Sequence, residues 1–374
     1  MENTPKIAIA HEFLTQFGGA EKTLEAIIEI FPNAPIYTAK LNRKILSATF
    51  KDRQIICPKT SFINKTSKYL FTFMMAPVFE NLDFSDYDII ISDGTTWNKG
   101  IITKPEQMHV TYIHTPPRFL YKYSTESTKR NRWYLKLFFS YLDNILRLWD
   151  FTAAQRPDYI VTNSNETKKR IFKFYRREAT VIYPPVDIDT PVESKDTNNL
   201  EKPYYVALGR LVRYKNFEPL IEAFNLLDIP LVVIGTGNYE KHLRKLAKSN
   251  IIFKGRLNDR EKHIVLNNAL GLINLVEDED FGIVPIEAMS HGLPVLAHKS
   301  GGHMETIQEN VNGMFVEDLQ LDKLVNTIKS FDKTVRENLY DKNTIRESVQ
   351  KFSKKRFQEE FLKFVMEKWQ IYSK

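Results

Sequence analysis

The stretch 277–302, EDEDFGIVPIEAMSHGLPVLAHKSGG, constrains this chain more than any other. An apolar run over 270–276 leads into four acids, then Phe281-Gly282. A short helix opens near Pro285 and stops at Gly292, and a second apolar run ends in Gly301-Gly302. Proline fits a first helical turn because its missing N–H has no partner there, and glycine fits just past the last turn. The N-terminus of so short a helix lies directly after Gly282, Ile283 and Val284, where free backbone amides and the helix dipole favour an anion. Glu279 and Glu287 flank that point. Carboxylates beside an anion site suggest a ligand that carries both phosphate and hydroxyl groups.

The remainder alternates strand and helix, as a mainly parallel sheet requires. Residues 6–10 read as a buried strand, followed by His11-Glu12, a loop ending in Gly18-Gly19, and a helical pattern through Ala20, Leu24, Ile27, Ile28 and Phe31. The GxGxxG dinucleotide fingerprint is absent, so Gly18-Gly19 is either a phosphate-approach loop or a plain turn. Further strands are expected at 36–39, 89–92, 110–114, 159–163 and 180–183. His114 ends one of them and precedes Thr115-Pro116-Pro117-Arg118. Ligands bind at the carboxyl ends of such strands, so His114 can contact substrate, although a lone histidine is more often structural. After Pro184-Pro185 comes a polar stretch without periodicity, the clearest linker. A second cycle then runs through strands at 204–208, 231–234, 251–253, 271–276 and 295–297. The tail carries an amphipathic pattern, Phe357, Phe361, Phe364, Val365 and Trp369, that must pack on something.

A length of 374 residues suits two domains. We place them at 1–186 and 203–351, with a linker over 187–202 and a terminal helix over 352–374. A net charge of +7 fits an anionic partner or simply a lysine-rich surface. The only cysteine is Cys57, which excludes an internal disulfide and a cysteine-built zinc site. The start, MENTPK, lacks a basic leader, and the run 70–79 is too short to span a bilayer, so the expectation is a cytoplasmic protein. Segment 118–150 carries seven cations against three acids, interleaved with aromatics. It reads either as a contact with an anionic membrane surface or as a core helix with a solvated basic face. No nucleic-acid motif is present.

Gly209-Arg210 and Lys215 follow one strand of the second cycle. Two cations at a strand's carboxyl end suit a diphosphate, although isolated they would more often be surface charges. Asp-x-Asp, a pattern used to hold a metal against a sugar nucleotide, occurs at 278–280 but also at 86–88 and 187–189, so it discriminates little. With cations and a helix N-terminus in place, a divalent ion is unnecessary. No essential metal and no cofactor are expected.

Gly209-Arg210, Lys215, the run Glu279-Asp280-Phe281-Gly282-Ile283-Val284-Pro285-Ile286-Glu287-Ala288 and Gly301-Gly302 resemble the family 4 retaining glycosyltransferases, with Glu279 and Glu287 as the Glu-x7-Glu signature. Gly18-Gly19-Ala20-Glu21 and Tyr112-Ile113-His114-Thr115-Pro116 resemble a bacterial branch containing mannosyltransferases of surface polysaccharide. The resemblance implies the α/β GT-B fold: two Rossmann-like domains facing across a cleft, with a C-terminal helix crossing back to the first. It implies a retaining transfer of a hexose, with GDP-mannose as donor, to a saccharide or lipid-linked acceptor, at the inner face of the membrane. Glu287 would hold the donor ribose. Arg210 and Lys215 would bind the leaving diphosphate, helped by amides at Ile283, Val284 and Gly18-Gly19. Glu279, with the backbone at Phe281 and Gly282, would bind the donor sugar, and His114 would orient it. Met304 departs from the smaller residue that relatives often carry. The competing readings are a sugar-nucleotide epimerase of the same fold and a non-catalytic subunit.

Overall fold

The structure is a computed structural model that describes residues 5–58, 68–121, 136–188 and 203–374. These fall into two compact units: 5–121, 136–185 and 354–374 form the first, and 186–188 with 203–353 form the second. Most of the linker at 187–202, and of the segment between 118 and 136, lies outside the described residues.

The first unit is built on a seven-stranded sheet: β1 (Ile7–Leu14), β2 (Ile36–Leu41), β3 (Ile55–Ile56), β4 (Ile89–Gly94), β5 (Met108–Ile113), β6 (Tyr159–Thr162) and β7 (Thr180–Val181). They lie in the order β3-β2-β1-β4-β5-β6-β7, each neighbour parallel. The second unit's sheet has β8 (Tyr205–Leu208), β9 (Leu231–Ile234), β10 (Ile251–Gly255), β11 (Gly271–Asn274), β12 (Val295–His298) and β13 (Gly313–Val316), in the order β10-β9-β8-β11-β12-β13. All its pairings are parallel as well. Runs such as Ile89-Ile90-Ile91 and Leu231–Ile234 are buried because helices cover both faces of a parallel sheet.

In each sheet the strand order reverses once, between β1 and β4 and between β8 and β11. Those two switch points are where an open α/β sheet leaves a crevice beyond its strands' carboxyl ends. Gly18-Gly19, the β4 end and His114 lie at or beside the first, while Gly209, Arg210 and the 277–282 loop lie at the second.

One face of the first sheet is closed by helix Gly19–Ile30 and by the last helix, Lys354–Tyr372. Phe357, Phe361 and Val365 repeat at one side of that last helix and are fully buried against Ile9, Val110 and Tyr112. The Tyr112 ring lies 6.0 Å from Phe357 and 6.3 Å from Phe361. Lys354 Nζ reaches Glu29 at 2.6 Å, fixing where the helix begins. The other face carries helices Lys68–Glu80 and Lys136–Ala153. The first of these went unread in the sequence: it is apolar nearly all round and contains Pro77, so no 3.6-residue period shows. Helix Asn165–Tyr175 did carry a signal, the Ser164 hydroxyl accepting from the Thr167 N–H at 3.0 Å. β5 stops at Ile113, one residue short of the expected strand, so His114 begins the loop.

Candidate functional site

At the switch point of the second unit, the chain leaves β8 through Gly209 and is held against the β9 loop by the Leu211 N–H donating to Thr236 O at 3.0 Å. Arg210 is presented to solvent. A single 3-10 turn, Arg213–Lys215, follows and ends at Asn216 in left-handed backbone (φ 54°). The Asn216 amide donates to Leu275 O at 3.0 Å and so ties this turn to the end of β11. The tie carries Lys215 to the acidic loop, where its Nζ lies 3.6 Å from Glu279 Oε2. Lys215 and Glu279 are 64 positions apart in the chain, and only the sheet order brings them together.

The acidic loop is set by the two glycines that close the opening motif. The Gly302 N–H donates to Glu279 O at 2.8 Å. A Cβ on Gly301 would stand 2.3 Å from that same oxygen, and one on Gly302 would stand 2.3 Å from Phe281 Cα, so only glycine permits the approach. Phe281 is buried edge-on against Phe352 at 5.3 Å. Gly282, at φ 98°, then starts helix Ile283–Ser290 and, as a glycine, brings no side chain to cap it. The amides at Ile283 and Val284 are the first of that helix, which follows directly on the loop carrying Glu279. Behind Gly282 lies His303, fully buried, its Nδ1 2.9 Å from His298 O. Burial holds its pKa below the ordinary histidine value, against the opposing charge of Glu279.

Glu287, one turn into that helix, does not stand alone. Lys262 Nζ lies 3.3 Å from its Oε2 and 3.2 Å from Asp259 Oδ1. His263 Nδ1 and His291 Nε2 are 2.9 Å apart, and His291 Nδ1 is 2.6 Å from Asn267 Oδ1. Burial, then the neighbouring His263 and Lys262, push His291 down to about 4. Lys262 escaped the sequence reading, because nothing local announces that it meets Glu287.

The switch point of the first unit carries groups that the sequence reading passed over. Glu12 Oε1 accepts the N–H groups of three successive residues, Thr95 at 3.1 Å, Thr96, and Trp97 at 2.6 Å. From behind, buried Lys99 bonds the carbonyl oxygens of Thr95 and Thr96 and pairs with Asp150 at 2.6 Å. Asp150 in turn takes the hydroxyls of Tyr121 and Tyr175 at 2.9 and 2.8 Å. The loop after β4 is thus clamped by a carboxylate on its donors and an ammonium on its acceptors. Asp93, at the end of β4, bonds His11 Nδ1 through one oxygen and lies 2.8 Å from His114 Nε2 through the other. At Gly18 the N–H already donates to Glu21 at 2.8 Å, so this amide is engaged by its own helix.

The outer side of helix Lys136–Ala153 exposes Tyr141, Ile145 and Leu148, the first and last by 68% and 66%. Trp149 turns the other way: it packs on Trp97 with ring centres 5.3 Å apart and donates to Glu80 at 2.9 Å. Trp149 therefore belongs to the core and not to a surface contact. Among the described residues no helix is long and apolar enough to cross a membrane.

Residues 190–344 match the family described as glycosyl transferases group 1. The chain is 27% identical over 264 residues to an alpha-1,3/1,6-mannosyltransferase, ALG2, of Candida glabrata, covering 54% of this chain and 58% of that protein. It is 24% identical over 258 residues to the O-antigen chain mannosyltransferase C of Escherichia coli, covering 65% of each. The chain spans less than two thirds of the length of these relatives. In fold it is similar to Alr3699/HepE of Anabaena, solved in complex with UDP, at a TM-score of 0.71 and 16% identity over 96% of this chain and all of that one. Residues 190–344 thus match a glycosyl transferases group 1 domain, and the chain carries the two parallel Rossmann-like sheets of the GT-B fold.

Proposed function

We propose that this chain transfers a hexose from a nucleoside-diphosphate sugar to the hydroxyl of a saccharide or lipid-linked acceptor, with retention at the anomeric carbon. The observation that carries the proposal is the Lys215–Glu279 pair, at the switch point that also carries Arg210 and the start of helix Ile283–Ser290. Cations and aligned amides stabilise the charge that develops on a departing diphosphate, and such preorganised groups are the main source of rate for a phosphate leaving group. Glu279, already paired with Lys215, is a binding group for sugar hydroxyls, not a nucleophile. The acceptor proton then leaves with the phosphate on the same face. Glu287 holds the ribose, its carboxylate accepting two hydroxyls. Gly209, Phe281 and Gly282 supply close backbone. On the first unit's strand ends, Gly18, Gly19 and His114 remain the groups assigned to the ligand, Gly18 through its backbone as a whole because its N–H is engaged.

Mannose is the proposed sugar, supported by the mannosyltransferases among the relatives, and GDP-mannose the proposed donor. The reaction is proposed to need no metal, since the charge on the diphosphate is met by Arg210, Lys215 and the amides. The protein is proposed to work on surface-polysaccharide intermediates at the inner face of the membrane, with Tyr141, Ile145 and Leu148 touching lipid.

The direct test is thermal shift against GDP, UDP and ADP and their sugars, followed by sugar transfer. A ligand at 100 times its Kd stabilises the folded state by about 2.7 kcal/mol, a readily measured shift. If no nucleotide shifts the transition, the donor reading fails.

A further inference from the structure

Glu12 is the first residue of β1 beyond its pairing with β4, which ends at His11 and Asp93. There the chain leaves β4 through Gly94 and bends over 95–97 into the 3-10 turn Asn98–Gly100. Glu12 Oε1 takes the N–H groups of that bend: Thr95 at 3.1 Å, Thr96, and Trp97 at 2.6 Å. From inside, Lys99 Nζ takes Thr95 O at 3.3 Å and Thr96 O at 2.5 Å, and pairs with Asp150. Asn98 ties the same turn to β1, donating to Ala10 O at 3.2 Å. The backbone of Glu12 is pinned too, its carbonyl accepting from the Thr38 hydroxyl at 3.2 Å.

Stability alone does not account for this clamping. Lys99 and Asp150 are 1% and 0% exposed, and apolar side chains of similar volume often stabilise as well as a buried ion pair. What the clamps secure is geometry. Neither the bend nor the Glu12 side chain can turn without stranding a buried charge or three N–H groups.

The surface so fixed is small. From 89 to 101 every residue is buried except Thr95, and Glu12 is half-buried beside it. Among the described residues nothing bonds Glu12 Oε2 or the Thr95 hydroxyl, and neither atom is sealed from solvent. Both open at the carboxyl ends of β1 and β4, the switch point at which such a sheet takes a ligand. A carboxylate oxygen accepts from hydroxyls and repels phosphate and other carboxylates, while a threonine hydroxyl both donates and accepts. The pair therefore suits neighbouring hydroxyls on an uncharged sugar.

We propose that Glu12 Oε2 and the Thr95 hydroxyl bind adjacent hydroxyls of an uncharged residue of the acceptor saccharide. That this saccharide is an acceptor rests on the transferase reading above, in which the donor diphosphate falls to the second unit. The hydroxyl site itself does not depend on that reading. It excludes an acceptor whose phosphate or carboxylate has to lie at this point.

Binding and catalysis test the site separately. In the intact chain labelled at threonine methyl groups, Thr95→Ser removes one signal and so assigns it. Titration with mannose, glucose, galactose and N-acetylglucosamine should shift that signal for at least one sugar, and inorganic phosphate should leave it in place. In Glu12→Gln the amide oxygen still accepts the three N–H groups, but a donor replaces Oε2, so the shift should be lost. No shift with any of those sugars, a shift with phosphate, or an undiminished shift in Glu12→Gln would each overturn the proposal. In sugar transfer, Glu12→Gln should raise acceptor KM about 10- to 100-fold while donor KM stays within a few-fold. Should Glu12→Gln not fold, Thr95→Val is near-isosteric and should raise acceptor KM about 3- to 10-fold, whereas Thr95→Ser should not. A protein that transfers sugar with an acceptor KM indifferent to these changes would sink the site and leave the transferase standing. One that binds sugars beside Thr95 but transfers none would do the reverse.

Discussion

Lys262 Nζ lies 3.3 Å from Glu287 Oε2, and both side chains are about seven-eighths buried, at 14% and 12% exposure. The glutamate assigned to the ribose is therefore charge-balanced and aimed by a residue from the preceding helix. A charge-assisted bond of this kind contributes on the order of 1.5–3 kcal/mol. Glu287→Ala is expected to weaken nucleotide binding about 10- to 100-fold in calorimetric titration with GDP. Lys262→Met should weaken it less, about 3- to 10-fold, because the carboxylate survives without its guide. Binding of GDP to Glu287→Ala at wild-type strength would remove the ribose role.

Lys215 is proposed to act on the leaving group, so its loss should show in rate more than in affinity. Lys215→Ala should lower kcat by about 100- to 1,000-fold, the scale for removing one preorganised electrostatic group. The partner Glu279, at 20% exposure, would lose this ion pair. A double variant Lys215→Ala with Glu279→Gln should bind GDP better than Lys215→Ala alone, measured by the same titration.

Stability should peak near neutral pH and fall on the acid side. His109, on β5, has Nε2 2.8 Å from Ser92 Oγ on β4, and burial, then the charge of Arg156, push it down to about 3. His291 is pushed down to about 4. Both titrate near ~6.5 in an unfolded chain, so between pH 6.5 and 4 the unfolded state binds protons that the native state refuses. Each costs roughly 1.4 kcal/mol per pH unit over that range. His11 has the opposite sign: its pKa is raised, so its stabilisation is complete below 6.5 and is lost as pH rises through its folded value. Asp93, with a lowered pKa, stabilises above 3.8 and stops doing so as pH falls through its folded value. Urea midpoints measured from pH 7.5 to 4.5 should drop on the acid side, and less so in His109→Gln. A flat profile would contradict the burial of these rings.

The last helix is held by apolar contact, and Phe361 is fully buried in the first unit's core. Phe361→Ala should destabilise that unit by about 3–5 kcal/mol, the range for a buried aromatic truncated in place. Thermal unfolding followed by circular dichroism would show it, with a smaller loss for Phe361→Leu.

For the proposed lipid contact the outward residues are the ones to change. Replacing Tyr141, Ile145 and Leu148 together by serine should lower flotation with anionic liposomes without lowering the melting temperature. Equal flotation would return helix Lys136–Ala153 to an ordinary solvated surface.

What could be read directly in the sequence was local. The run 277–302 announces its helix, its glycine stops and its anion-favouring start, because proline, glycine and charge act within a turn or two of themselves. Most strands of both sheets are legible because a buried parallel strand must be a continuous apolar run, whereas the edge strands β3 and β13 went unread. Resemblance added a family to those segments, and the group 1 match falls over the same half of the chain. What tertiary structure decided was pairing at a distance. Lys215 meets Glu279 because β8 and β11 are neighbours although β9 and β10 intervene in sequence. Asp93 joins His11 and His114 because β4 lies between β1 and β5. Strand order depends on the summed packing of whole helices against a sheet, so no single residue signals it, and the partners that aim the site's charges came into view only when that order was known.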